Sequence, residues 1–347
     1  MFNISDKVIS QKHKPFIIAE MSGNHNQSLE RALKIIKVAA DCGADAIKLQ
    51  TYTADTLTIN HRGGLFDIKD PRSLWANRNL YDLYQEAHTP WEWHKAIFKC
   101  AKDNGIICFS TPFDDTAVDF LENLNAPVYK IASFENNHFP LLKKVARTCK
   151  PVIMSTGASD LSNLADAVDV LRDNGCKDLV LLKCTSNYPA SPENSNIRTI
   201  PHLRELFNCE VGLSDHTMGI GVPCAAVTLG ATVIEKHFCL SRAEGGVDSA
   251  FSLEPEELKS LVIETERAWQ SLGKVQYGVQ ESERKSVIFK RSIYVVKDIE
   301  EGEHFTEDNI RVIRPGDGLH PKYYEQVIGK TANRILKRGS PLSINDI

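Results

Sequence analysis

Two histidines stand where core strands have no use for them. His216 ends the run VGLSDH and His237 ends VIEKH, and both runs are otherwise apolar enough for a buried strand. A neutral imidazole is a good ligand for a divalent cation. Two of them at neighbouring strand ends, with oxygen from Asp248, water or a substrate, predict an exchangeable Mn²⁺ or Mg²⁺ rather than structural zinc. The alternative is that each ring only hydrogen-bonds a loop carbonyl, as many buried histidines do. That fits a single histidine better than a pair.

Lysines make the same point. Lys48 interrupts AIKLQ and Lys130 interrupts YKIAS, and a buried ammonium is costly unless paired. Hydroxyls fall at comparable places in other runs, on Thr111, Ser133, Ser155, Ser186 and Ser214, with Gly157 allowing close backbone approach. Two cations and a ring of hydroxyls suit a small anion carrying phosphate and carboxylate. Neither GxxxxGK[ST] nor GxGxxG is present, so a nucleotide is not the favoured anion. Lys48 or Lys130 could instead be an aldolase Schiff-base lysine or a structural ion-pair partner, and Lys183 and Lys236 also lie in strand-like runs. Glu20, Glu135 and Glu235 are the carboxylates available for acid–base work or for a sugar hydroxyl. For any one of them, neutralising a lysine is an equal alternative. The aromatic stretches LYDLYQEA (80–87) and TPWEWH (89–94) line a sugar pocket on one reading; on the other, Trp91 and Trp93 pack at a helix start.

Positioning these groups requires a repeated element. Eight β-rich runs are legible: FIIAE, DAIKLQ, IICFST, VYKIAS, VIMST, LVLLKCTS, VGLSDH and VIEKH. Segments at helical spacing separate them, including LERALKIIKVAADCG, WEWHKAIFKCAKDNG and LADAVDVLRDNG, several closing on glycine. PEELKSLVIETERAWQSLG follows the eighth run. Eight βα units predict a closed parallel (β/α)₈ TIM barrel, whose C-terminal rim carries the chemistry. Every run ends polar, on Glu20, Gln50, Thr111, Ser133, Ser155, Ser186, His216 and His237. Alternation puts Lys48 with Gln50 and Tyr52, Ser214 with His216, and Glu235 with His237 on one strand face, read as the inward one.

The barrel is read as residues 1–273, a polar linker as 274–290 and a small module as 291–347. The module contains a near-repeat: Ile299, Gly302, Thr306, Asn309 and Ile310 match Leu336, Gly339, Ser343, Asp346 and Ile347 in spacing. So few residues bury little core alone, which predicts support from the barrel or from another subunit.

Composition is that of a globular protein: 347 residues, 42% hydrophobic and 25% charged, with net charge -4. Nothing in that balance points to nucleic acid or to an anionic membrane. Nine cysteines without a CxxC pair predict reduced thiols in the cytoplasm. Neither an N-terminal signal segment nor a long apolar span is legible.

The blocks IAEMSGNHN, IKLQTY, FSTPF, YKIASFENN, STG, KCTSNYP, GLSDHT and IEKHF, with RPGDG near the end, closely resemble the sialic acid (nonulosonate) synthase family, in order and over about 15–347. KLQTYT, LYDLYQEAHTPWEWH and GLHPKYY look most like its pseudaminate-forming branch. The resemblance implies a transferase that condenses phosphoenolpyruvate with an open-chain amino-sugar aldehyde and releases phosphate by C–O cleavage. The sugar implied is a 2,4-diacetamido-2,4,6-trideoxy altrose; N-acetylmannosamine or a trideoxy mannose analogue is the alternative. It implies phosphoenolpyruvate binding by Lys48, Thr111, Lys130, Ser133, Ser155 and Ser214, and metal binding by His216 and His237. Ser186 stands where the family commonly has asparagine, which puts the contact from that loop in doubt. Glu20, Gln50, Glu135, Tyr188 and Glu235 would touch the sugar or move protons. The C-terminal module resembles an antifreeze-like (SAF, β-clip) domain, whose Arg314 would reach the sugar in a neighbouring subunit and make a domain-swapped homodimer. Two rivals remain: a glycan-binding module on an inert barrel, and a metal-independent Schiff-base aldolase.

Overall fold

The computed structural model describes residues 1–347 and divides them into two compact units, Met1–Gly273 and Lys274–Ile347. The first unit opens with a hairpin of β1 (Phe2–Ile4) and β2 (Lys7–Ile9). Eight parallel strands follow: β3 (Phe16–Glu20), β4 (Ala46–Thr51), β5 (Ile107–Pro112), β6 (Tyr129–Ile131), β7 (Val152–Ser155), β8 (Leu179–Cys184), β9 (Glu210–Asp215) and β10 (Val233–His237). They pair in chain order and β10 returns to β3, which closes the expected barrel. β6, β8 and β9 stop short of the polar residues read as their ends, so Ser133, Ser186 and His216 lie at the start of loops.

Period-two alternation sorts the strand residues into two cores. Ile17, Ile47, Leu49, Met154, Leu181 and Ile234 face outward and pack with the helices. The helix Leu29–Asp41 shows why these segments are helical: Ser28 caps Arg31 N, and Ala32, Ile35, Ile36 and Ala39 form one buried stripe. Facing inward, Phe16, Ile18, Ala46, Phe109, Val180, Leu182 and Val233 fill the lower barrel. Ile4 and Ile9 of the hairpin belong to the same cluster, so the hairpin plugs the barrel's N-terminal end. The polar inward residues sit above this apolar floor, toward the strand C-termini. Gly212 permits the closure between β9 and β10, since a Cβ there would lie 2.2 Å from Val233 O.

The segment after β4 is ordered by its own contacts. Ahead of the helix His94–Asp103 that leads into β5, it holds two helices, Ala54–Leu57 and Leu80–Ala87. Asn79 accepts from Tyr81 N and donates to His61 O and Asp67 Oδ1, tying the connection between them. No helix is long and apolar enough to cross a membrane, and all nine cysteines are free.

The second unit pairs β11 (Ser292–Val295) with β12 (Ile310–Ile313), antiparallel. Its internal repeat is structural. Ile299 and Leu336 exchange backbone hydrogen bonds of 2.8 and 2.9 Å. Gly302 and Gly339 both adopt positive φ, 85° and 91°. Asn309 accepts from Thr306 N as Asp346 accepts from Ser343 N, each at 2.7 Å. Phe305, Ile310, Val327, Leu336 and Leu342 form the unit's own core. Residues Glu281–Phe289, inside the segment read as a linker, form 3₁₀ turns.

Candidate active site

Four buried charges meet inside the upper barrel. Lys48 Nζ lies 2.5 Å from Glu20 Oε2 and 3.9 Å from Glu235 Oε2, and Lys130 Nζ donates to Glu235 Oε1 at 3.1 Å. All four residues are at most 5% exposed. Neutral hydrogen bonds complete the set: Lys48 to Thr111 Oγ1 at 3.3 Å, Ser214 to Glu235 at 3.1 Å, and Gln50 to Glu20 at 3.1 Å. Burial raises the Glu20 carboxyl against the pull of Lys48, with the neighbouring Glu235 reinforcing the rise. Glu235 has two ammonium neighbours, which outweigh burial and hold it low. Glu20 and Glu235 are therefore lysine partners, the plainer of the two roles open to them from sequence. The Lys48 ammonium is held high by both carboxylates despite burial, which opposes Schiff-base chemistry at that residue.

A second group of polar atoms gathers beside this quartet. Gly157 N donates to Ser133 Oγ at 3.2 Å, and a Cβ on Gly157 would lie 2.6 Å from Ser133 Oγ and 2.2 Å from Ser186 Oγ. Only glycine leaves this cradle open. Ser155 Oγ is buried without a partner. Asn136, not singled out from sequence, holds the two loops together through Ser155 O and Gly157 O at 3.3 and 3.5 Å. Unpaired buried hydroxyls next to paired lysines are suited to receiving an anion.

The imidazoles meet as the spacing predicts. The rings of His216 and His237 are 5.4 Å apart between centroids. Nδ1–H of His216 donates to Thr185 O at 3.0 Å, which leaves Nε2 with the lone pair. His237 Nδ1 has no hydrogen-bond partner and lies 3.9 Å from Asp248 Oδ2. Burial, with the nearby Lys48, Lys130 and Lys236 opposing a further positive charge, keeps His237 neutral. No group of three His, Cys, Asp or Glu side chains is disposed to hold a metal ion by itself. An orphaned neutral nitrogen facing a second imidazole, with one carboxylate nearby, fits a divalent cation that completes its shell with water and substrate. Tyr188 lies over His216 at 4.3 Å and Phe251 closes on His237 at 4.8 Å. Cys184, also missed, has Sγ 4.0 Å from His216 Nδ1; burial opposes its ionisation, but His216 outweighs burial and brings the thiol to about 7.

Above the polar set is a cavity of about 380 Å³, into which Gln50, Glu135, Tyr188, His237 and Asp248 face. Glu135 is the one candidate glutamate without a lysine partner; Oε2 is unbonded, and burial pushes the carboxyl up to about 7. Tyr84 of the LYDLYQEA helix lines the same cavity. Trp91 and Trp93 do not: Trp91 packs on Phe120 at 4.7 Å and Trp93 against His25 at 5.5 Å. Arg314 belongs to the second unit, immediately after β12.

Lys236 carries a role that its place in a strand did not reveal. On the outward face of β10, its ammonium donates to Asp215 Oδ2 at 2.7 Å, Thr217 O at 2.5 Å and Gly219 O at 3.0 Å. Asp215 in turn accepts from Thr217 N and Oγ1, so the turn carrying His216 is clamped on both sides. Removing either partner leaves a buried charge and costs about 3–5 kcal/mol. In urea unfolding, Lys236→Met and Asp215→Asn together are expected to cost less than their sum by about 1–3 kcal/mol. Strict additivity would break the clamp.

Comparison with known proteins agrees in both units. Residues 290–347 match the SAF domain. Over 333 residues, 96% of each chain, the sequence is 46% identical to a pseudaminic acid synthase of Campylobacter jejuni. It is 37% identical over 328 residues, 93% of this chain and 97% of the other, to an N,N'-diacetyllegionaminic acid synthase of the same organism. The crystal structure of an N-acetylneuraminic acid synthetase from Leptospira borgpetersenii, in complex with citrate, superposes with a TM-score of 0.73 at 31% identity, covering 82% of this chain and 94% of that one. Residues 35–277 match the NeuB family, and the chain belongs to it.

Proposed function

We propose that this chain is a pseudaminic acid synthase, joining phosphoenolpyruvate to the open-chain aldehyde of 2,4-diacetamido-2,4,6-trideoxy-L-altrose. The observation that carries the reading is the buried Lys48–Lys130 cluster beside a sugar-sized cavity lined by His237, whose ring neighbours that of His216. Its similarity to the Campylobacter pseudaminic acid synthase, higher than to the legionaminic enzyme, favours the altrose. A glycan-binding role would need none of the buried charges.

Lys48 and Lys130 neutralise the phosphate and carboxylate of phosphoenolpyruvate, while Thr111, Ser133, Ser155, Ser186 and Ser214 donate hydroxyl hydrogens to them. Glu20, already raised by burial, takes up a proton most readily as a polyanion draws the lysines away. A divalent cation (Mn²⁺ or Mg²⁺), held by His216 and His237 with Asp248, would supply positive charge against the aldehyde oxygen. Gln50 and Tyr188 orient the sugar chain. As C3 of phosphoenolpyruvate bonds to the aldehyde carbon, protonated Glu135 gives its proton to the aldehyde oxygen. Water then adds at C2 and returns a proton to Glu135. The C2–O bond to phosphate breaks, the hydroxyl proton leaves with phosphate, and a 2-keto acid remains. Arg314 reaches the sugar from a neighbouring subunit in a domain-swapped homodimer. Free thiols throughout fit a reducing cytoplasm.

Phosphate release from phosphoenolpyruvate with Mn²⁺ is expected with the altrose, and not with the matching D-mannose isomer or with N-acetylmannosamine. Chelation should abolish it. Release with another sugar replaces the substrate; activity that survives chelation removes the metal from the histidines.

An acid with its pKa raised to about 7 is protonated below that pH and lost above it, so kcat/KM should fall as pH rises through neutrality. Glu135→Gln should lose that limb and about 10²–10⁴ in kcat. A profile unchanged in shape assigns the proton to another group.

Arg314→Ala should raise the sugar KM and leave that for phosphoenolpyruvate in place. Mixing it with Glu135→Gln should restore activity if the arm crosses between subunits. If the mixture, assayed at sugar well below the raised KM, shows no more than the sum of the two separate activities, the exchange is refuted.

A further inference from the structure

The cavity has two unlike walls. Strand ends and their loops supply one, where the polar Gln50, Glu135, Tyr188, His237 and Asp248 stand among Ala132, Phe134 and Val247. The segment between β4 and β5 supplies the other, from Leu57, Ile68, Trp75, Leu80, Leu83 and Ala87, with Phe113 beside them. Across that second wall hydrogen-bonding side chains are scarce. Trp75 Nε1 is already spent on Val247 O at 3.0 Å, which leaves the hydroxyls of Tyr52 and Tyr84. The same hydrogen bond ties the segment to the loop that carries Asp248, and the Trp75 ring lies 5.8 Å from Tyr188. The apolar wall is thus fixed against the catalytic one by Trp75.

Resting on the acceptor assignment above, we infer that this wall is the specificity-determining surface of the enzyme, selecting a deoxy sugar whose non-reacting end carries methyl groups, with Trp75 as its central residue. The strand-end wall holds the aldehyde and the hydroxyls near it, because only there can they find partners. A substrate oriented in that way presents its opposite end to the apolar wall. A methyl group gains from leaving water there, and a hydroxymethyl group loses hydrogen bonds that the wall does not replace. The wall comes from a connecting segment and not from the strands, so it varies without disturbing the anion site.

The test compares 2,4-diacetamido-2,4,6-trideoxy-L-altrose with its 6-hydroxy counterpart, sugars that differ by one oxygen. The protein with Mn²⁺ should prefer the 6-deoxy sugar by about 10- to 100-fold in kcat/KM. Trp75→Ala, which opens the wall to water, and Ile68→Asn, which adds a partner on it, should each pull that ratio toward one. The KM for phosphoenolpyruvate should stay in place, which a general collapse of the site would not allow. A ratio near one in the unaltered protein, or a ratio unmoved in both variants, overturns the inference while leaving the synthase intact. Absence of release with both sugars overturns the acceptor assignment, and this inference with it.

Discussion

Two ammonium groups and two carboxylates buried together can exist only as a set. Each would cost several kcal/mol alone in a medium this dry, and each is acceptable because its neighbours carry the opposite charge. Lys48, Glu20, Glu235 and Lys130 come from β4, β3, β10 and β6, so the set requires the barrel to be closed and in register. The rest of the site follows from that arrangement. With Glu20 and Glu235 committed to lysines, Glu135 is the carboxylate left free to carry a proton. With the quartet neutral as a whole, the proposed polyanion would bind by rearranging existing pairs rather than by filling an empty positive hole.

Dryness below the quartet is maintained by the apolar floor and by the hairpin under it. Ile4 and Ile9 close the end of the barrel through which water would otherwise reach the charges. On the sides, the clamp from Lys236 to Asp215 fixes the turn that carries His216 while keeping its own charge outside the cavity. The two faces of β10 thus divide the work. Glu235 and His237 point to the chemistry, and Lys236 between them holds the frame.

Chemistry and selectivity occupy different kinds of element. Under the proposed function, the groups that meet phosphate and aldehyde sit on strand ends, where the barrel holds them rigidly. The wall inferred to meet the far end of the acceptor sits on the segment after β4, pinned at Trp75.

The sequence by itself determined the eight strands, the inward face of β4, β9 and β10, and the polar residues at or just beyond the strand ends, because alternation and apolar runs are local properties that survive in one dimension. It determined the repeat in the small unit for the same reason: Gly302 and Gly339 recur at turns that need positive φ. Tertiary structure alone decided which charge pairs with which. Lys130 and Glu235 stand 105 positions apart, and nothing local marks Glu235 rather than Glu135 as the partner. Lys236 looked like any strand lysine until Asp215 and the carbonyls of Thr217 and Gly219 were placed around it. The hairpin was illegible because three-residue strands carry too little pattern. Trp75 was overlooked because its partner, Val247, is 172 residues away. Periodicity is written along the chain, whereas pairing energies depend on distance and burial, which exist only after the chain has closed on itself.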